Sequence, residues 1–222
     1  MKRDPSKAFP YSVLSFLVGV AIVSAGETAT LTGEVPLPKS RKSAPVKVQR
    51  YQVVTSGGVL ATNPSVAVVY LEGNFPDLKV PRTVQLAQEN MLFSTNLLPI
   101  RRGTTVEFPN NDTAYHSVFS YSKAKRFDLG RFLRDERPVP SQLFDKLGLV
   151  NLHCDIHEHM RAIILVLDTP YFVKTNPNGS FVLSGLPTGN FKLKAWVNSK
   201  TTLEVPVVLV SGQTQRVDFS ME

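Results

Sequence analysis

Within the run Cys154-Asp155-Ile156-His157-Glu158-His159-Met160, a thiolate, an imidazole and a thioether fall in one tight turn. A second imidazole, His116, lies upstream in Asn110-Asn111-Asp112-Thr113-Ala114-Tyr115-His116-Ser117-Val118. An ion that cycles between Cu(I) and Cu(II) is suited by one soft thiolate, two imidazoles and a weak, long axial thioether. The chain offers all four in Cys154, His116, His157 and Met160. Cys154 is its only cysteine, so no internal disulfide can claim the thiol.

Each of these residues also has an ordinary structural role. Cys154 alone suits a small buried hydrophobe, His116 a hydrogen-bonded polar residue near a turn, and Met160 a core side chain. Their joint occurrence in this order and spacing is what argues for a metal. A two-copper centre needs two bridging cysteines, and one is present. Structural zinc favours several thiolates or a closed Cys/His set and leaves Met160 without a use. A cysteine nucleophile paired with histidine explains neither Met160 nor the amino-terminal segment. No catalytic residue is assigned, and the chain is expected not to be an enzyme. His153 and His159 flank the turn and are expected to face solvent. The sharper alternative has Glu158 or His159 coordinating as well, which would alter the character of the site.

The geometry asked of the fold is simple. Cys154 should end an incoming strand, His157 should sit in the turn, and Met160 should start the outgoing strand. His116 must then arrive from a neighbouring strand or its mouth.

The 222 residues are 42% hydrophobic and 19% charged, which suits one large domain or a medium and a small one. Lys2, Arg3 and Lys7, an apolar run from Ser12 to Val23, and Val23-Ser24-Ala25 read as a cleaved signal peptide over residues 1–25. The run is short for about 30 Å of hydrocarbon, which argues against a retained anchor. A periplasmic or secreted location follows as the expectation, with no integral membrane segment after cleavage. Removing three basic residues and one acidic residue lowers the formal charge from +7 to +5. A lone cysteine in an exported chain is easier to explain when a metal holds it. The basic cluster Lys39, Arg41, Lys42, Lys47 and Arg50 lies in a Pro- and Ser-rich stretch without interleaved aromatics, so it reads as a solvated loop and not a nucleic-acid site.

Almost no helical periodicity appears after the leader, and the fold class predicted is all-β. Strands are expected over 27–34, Ser65 to Leu71, Val84 to Phe93, Leu97 to Ile100, Thr104 to Phe108, Tyr115 to Tyr121, Val150 to His153 and Ala162 to Asp168. Residues 122–146 read as the longest irregular stretch, with room for a short helix. After Thr169, four short strands separated by Asn-, Gly- and Pro-containing turns predict a small β unit.

Residues 84–168 resemble a cupredoxin of the plastocyanin and amicyanin kind. Arg102-Gly103-Thr104-Thr105-Val106-Glu107-Phe108-Pro109-Asn110-Asn111-Asp112 resembles the strand and Asn-rich turn before that family's first histidine ligand. Cys154-x-x-His157-x-x-Met160 resembles the short ligand loop of amicyanin. With Phe119-Ser120 and Phe127-Asp128-Leu129-Gly130 added, the chain looks closer still to bacterial exported methylamine-utilisation or plastocyanin-like proteins. The resemblance implies a Greek-key β-sandwich holding one copper per chain through His116, Cys154, His157 and Met160. Two departures stand out. Ser117 follows the first histidine where the family usually has Asn, and Glu158 follows His157 where a Pro is common. The tail, from Asn178-Gly179-Ser180-Phe181 to Phe191-x-Leu193-x-Ala195, resembles a carboxypeptidase-regulatory-like β-sandwich, a name that implies no peptidase activity.

The resulting division is a leader at 1–25, strands and a basic loop at 26–83, the copper domain at 84–168, and a small β domain at 169–222, completed in one arrangement by strands from 27–72. The function expected is a mononuclear type 1 copper protein carrying single electrons. Its partner would be a redox protein such as a c-type cytochrome or a periplasmic oxidoreductase. Copper delivery without electron transfer, motivated by His153 and His159, is one alternative. A structural or surface-attachment role for the tail is the other.

Overall fold

A computed structural model describes residues 28–38, 66–76 and 82–221. The expected leader and most of the basic loop lie outside the described residues. Every regular element among the described residues is a strand, as the all-β expectation required. No helix there is long and apolar enough to cross a membrane.

The strands that build the half carrying His116 and Cys154 are β3 (Arg82–Gln85), β4 (Gln88–Glu89), β5 (Leu92–Phe93), β6 (Leu97–Arg101), β7 (Thr104–Glu107), β8 (His116–Tyr121), β9 (Arg126–Phe132), β10 (Ser141–Phe144), β11 (Gly148–His153) and β12 (Arg161–Leu167). Five of them form a sheet in the order β6-β12-β11-β8-β9, and three form another, β10-β7-β3. Val118, Val150, Leu152 and Ile164 from the first sheet pack with Val106 and Phe144 from the second in one buried cluster. Two sheets sharing one core make a sandwich. Cys154 and Met160 belong to that same cluster, at its end.

The remaining strands are β1 (Ala29–Glu34), β2 (Val68–Glu72), β13 (Phe172–Lys174), β14 (Ser180–Leu186), β15 (Gly189–Asn198), β16 (Thr201–Leu209) and β17 (Thr214–Arg216). They form sheets β14-β1-β17 and β13-β2-β15-β16. Leu31 from β1, Val69 and Leu71 from β2, and Leu183, Leu193 and Val207 from the tail share a second core. Strand β1 lies between β14 and β17 so closely that a Cβ on Gly33 would sit 1.8 Å from the Val217 carbonyl oxygen, which is why that position has no side chain.

The two cores meet across β12. Ala162, Ile164 and Val166 face the core that includes Cys154 and Met160. Leu165 and Leu167 face the other way, into a third cluster with Leu97, Val68 of β2 and Trp196 of β15. A strand buried on both faces needs a continuous apolar run. This accounts for the uniform hydrophobicity of 162–167.

Two expectations need correction. The single strand expected over Val84 to Phe93 is three short pieces, broken at Leu86 and Ala87 and again where Asn90 and Met91 take φ of 54° and 61°. The stretch 122–146 holds no helix and is not irregular throughout: it contains β9 and β10, with an irregular connection over 133–140. Phe127 and Leu129 lean on the core and Phe132 is buried, which is strand alternation. The left-handed Gly130 and a register shift opposite β8 mask that period in the sequence.

Leu165 is 5% exposed at the junction of the two halves. Leu165→Ala should lower the unfolding free energy by about 2–5 kcal/mol, read from urea denaturation followed by intrinsic fluorescence.

Candidate metal centre

Strands β11 and β12 pair up to the couple His153–Arg161, so residues 154–160 form the hairpin connection between them. The loop closes on itself. Met160 N–H donates to the His157 carbonyl at 2.9 Å, and Cys154 N–H donates to the Met160 carbonyl at 3.3 Å. This tethers the thiol and the thioether to the two strand ends and leaves His157 at the turn. Cys154 is buried, Met160 is fully buried, and His157 is half-buried. His116 is the first residue of β8 and is fully buried.

Three donor atoms converge. The Nδ1 atoms of His116 and His157 are 3.1 Å apart, and His157 Nδ1 is 3.8 Å from Cys154 Sγ. All three side chains offer ligand atoms within 4.8 Å of one another. One ion with bonds of about 2.0–2.3 Å to nitrogen and sulfur can be shared by atoms so spaced. The donor chemistry therefore fits a single thiophilic ion.

The protonation pattern points the same way. His116 Nε2 lies 2.8 Å from Asp112 Oδ2. The carboxylate accepts, so Nε2 carries the proton and the Nδ1 lone pair faces the cluster. Asp112 is itself fixed: Oδ1 accepts from Asn90 N–H at 2.8 Å and Oδ2 from Met91 N–H at 2.9 Å. Burial pushes the Asp112 carboxyl up, but the hydrogen bonds from Met91, His116 and Asn90 outweigh it and hold the group below its ordinary value. Burial, with His116 and His159 nearby, pushes His157 down, which favours a neutral ring with a lone pair to give.

Asn110 shapes the approach to His116. Its amide donates to the carbonyls of Ala114 (2.8 Å) and Phe132 (3.0 Å), and its oxygen accepts from Asp112 N–H (2.9 Å). Gln88 runs beneath, donating to the Ser117 carbonyl at 3.2 Å.

Ser117, the departure from the resembled pattern, donates its backbone N–H toward Cys154 Sγ at 3.5 Å. Its hydroxyl meets Asp155, whose carboxyl is held low by the Arg131 guanidinium and then by that hydroxyl.

The flanking histidines are not solvent-facing loop residues. His153 is half-buried and stacks on Phe119, with ring centroids 5.6 Å apart. Burial, with Arg161 nearby, pushes it down. His159 donates Nε2–H to the Met91 carbonyl at 3.0 Å, an engagement that leaves that nitrogen no lone pair for an ion. Glu158 is exposed, and its carbonyl accepts from Arg161 Nε at 2.9 Å.

Reasoning from sequence assigned no role to Asp112, Asn110, Asp155 or Arg131. The Asp112-x-x-x-His116 spacing was a visible signal; the partnership of Asp155 with Ser117 and Arg131 had none.

No family profile matches the chain, and no curated protein matches it. Solved structures do. A reduced mutant of amicyanin aligns with 45% of this chain and 98% of its own, at 18% identity and a TM-score of 0.36. The Cu(I) form of another amicyanin mutant aligns over the same shares at 20% identity and a TM-score of 0.36. The Cu-containing nitrite reductase from Thermus scotoductus SA-01 is 28% identical over 40% of this chain and 23% of its own, at a TM-score of 0.36.

Asn110→Ala removes one side chain that ties three backbone groups together. It should lower the unfolding free energy of the metal-free protein by about 2–3 kcal/mol, from net hydrogen-bond values near 1 kcal/mol each, measured by denaturant titration.

Proposed function

We propose that the chain is a cupredoxin-like mononuclear copper protein, with His116, Cys154, His157 and Met160 as the ligands and single-electron transfer between redox partners as the role. The observation that carries this reading is the meeting of Cys154 Sγ with two histidine Nδ1 atoms, one of them committed to its lone pair by Asp112. A bound copper ion supplies a one-electron Cu(I)/Cu(II) couple whose potential depends on the axial ligand and on the hydrogen bonding around the sulfur.

The chain's own residues do the rest. Asp112 keeps the His116 ring oriented and Nε2 protonated, and the hairpin bonds of 154–160 hold Cys154 and Met160 at fixed strand ends. A pocket fixed before the ion changes state needs little rearrangement when it does. The buried setting of His116, Cys154 and Met160 keeps bulk water off three of the proposed ligands. His157 is the most exposed of the four, which suits it as the point of contact with a redox partner such as a c-type cytochrome or a periplasmic oxidoreductase.

Export to the periplasm, with residues 1–25 removed, is part of the same proposal and rests on the sequence alone. The proposal also includes a domain plan in which strands from 27–72 complete the tail's sandwich and the copper domain is inserted between; the pairing of β1 with β14 and of β2 with β15 supports it.

The deciding experiment is the visible and electron paramagnetic resonance spectrum with one equivalent of Cu(II). An intense thiolate-to-copper band with narrow hyperfine splitting, absent in Cys154→Ser, is the outcome expected. A weak spectrum with ordinary splitting overturns the reading in favour of copper handling. Asp112→Asn should weaken copper binding by about 10–100-fold, measured by competition with a chelator.

A further inference from the structure

One residue brings two hydrogen-bond donors near the Cys154 sulfur, and the structure gives only one of them to it. Ser117 N–H lies 3.5 Å from Sγ. The Ser117 hydroxyl lies 3.7 Å from Sγ and carries a single proton. The same hydroxyl is 2.5 Å from Asp155 Oδ1, a charge-assisted distance that assigns the proton to the carboxylate. Asp155 N–H donates back to the hydroxyl oxygen at 2.8 Å. The second carboxylate oxygen, Oδ2, is gripped by Arg131 through Nε at 2.9 Å and Nη2 at 2.8 Å. Arg131 stands directly opposite Ser117 in the β8–β9 pairing, so the strand register itself delivers the guanidinium to that place.

We propose that Asp155, oriented by Arg131, is a positioning residue that diverts the Ser117 hydroxyl proton from the Cys154 sulfur and so holds down the reduction potential of the site. The inference rests on the reading of Cys154 as a copper ligand. A hydrogen bond to the sulfur withdraws electron density and favours the reduced form, in which the thiolate keeps more of its charge; withholding one favours the oxidised form. The exposed Arg131–Asp155 pair is 63% and 38% accessible and contributes little to stability by itself. Its effect is on where one proton points.

Losing the Asp155 charge would also raise the potential, so the test separates charge from proton placement. Asp155→Asn removes the charge and keeps an oxygen able to accept from Ser117. Asp155→Ala removes both. Redox titration of the copper-loaded chain should place Asp155→Ala above Asp155→Asn by about tenfold in the one-electron equilibrium, on the scale of one hydrogen bond to a charged group, or about 59 mV. That gap should vanish when both changes are made in a Ser117→Ala background. The thiolate-to-copper band should move to higher energy in Asp155→Ala alone. Ser117→Ala by itself, with Asp155 intact, should lower the potential by well under that tenfold, and a fall of about tenfold or more would overturn the proposal even if the Asp155 variants fold poorly. Equal potentials for the two Asp155 variants, or a gap that survives Ser117→Ala, would overturn the proposal while leaving the copper assignment standing. A wild-type chain without an intense thiolate band overturns both.

Discussion

Strand β12 is buried on both faces, and the positions of the proposed ligands follow from that constraint. Ala162, Ile164 and Val166 close one core, while Leu165 and Leu167 close another with Val68 and Trp196. A strand fixed from two sides cannot slip by one residue, because a slip would exchange its two faces. Its first residue, Arg161, follows Met160 directly, and its antiparallel partner β11 ends one residue before Cys154. The hairpin that carries the thiol, the imidazole and the thioether therefore springs from a strand pair whose second member is held on both faces. The tail, which carries none of the proposed ligands, contributes by supplying the second wall.

A second layer of constraint is polar. Asp112 is held by the backbone of Asn90 and Met91, and it in turn holds His116. The positive φ values at Asn90 and Met91 belong to this arrangement, since the turn must present two successive N–H groups to one carboxylate. Asn110 ties the intervening loop to Ala114 and Phe132. Opposite, the hydroxyl of Ser117 and the carboxylate of Asp155 engage each other beside the sulfur. His116 thus meets a fixed carboxylate, and the thiol, which belongs to the apolar core, meets a fixed backbone N–H. Such a pocket is set before an ion arrives, which is what the proposed one-electron role would require.

The tail's relation to the rest also has a physical basis. Strands β14 to β17 alone cannot cover both faces of their core; β1 and β2 supply Leu31, Val69 and Leu71 to it. Long-range pairing of this kind lets residues 29–34 and 68–72 serve one sandwich while the chain between β2 and β13 builds another.

The all-β class was legible from the sequence, and so were the types of three side chains that the fold brings together, His116, Cys154 and His157. Both depend on local patterns: alternating or β-branched runs for the strands, and a seven-residue loop whose ends lie together because a hairpin closes it. Strands β2 and β12 were visible because their central residues, Val68 to Leu71 and Ala162 to Leu167, are buried from two sides and form an uninterrupted apolar or aromatic run. Strands β9 and β10 were not visible, since a left-handed glycine and a register shift disguised the alternation of one and the other is only four residues long. Tertiary structure alone decided which nitrogen of His116 faces the cluster, because that depends on a carboxylate fixed by a turn more than twenty residues away. It also decided that Ser117 would be engaged by Asp155 and Arg131, a partnership made by strand pairing. Donor types are a property of side chains and can be read one at a time. Their protonation and orientation are properties of neighbours, which only the folded chain brings together.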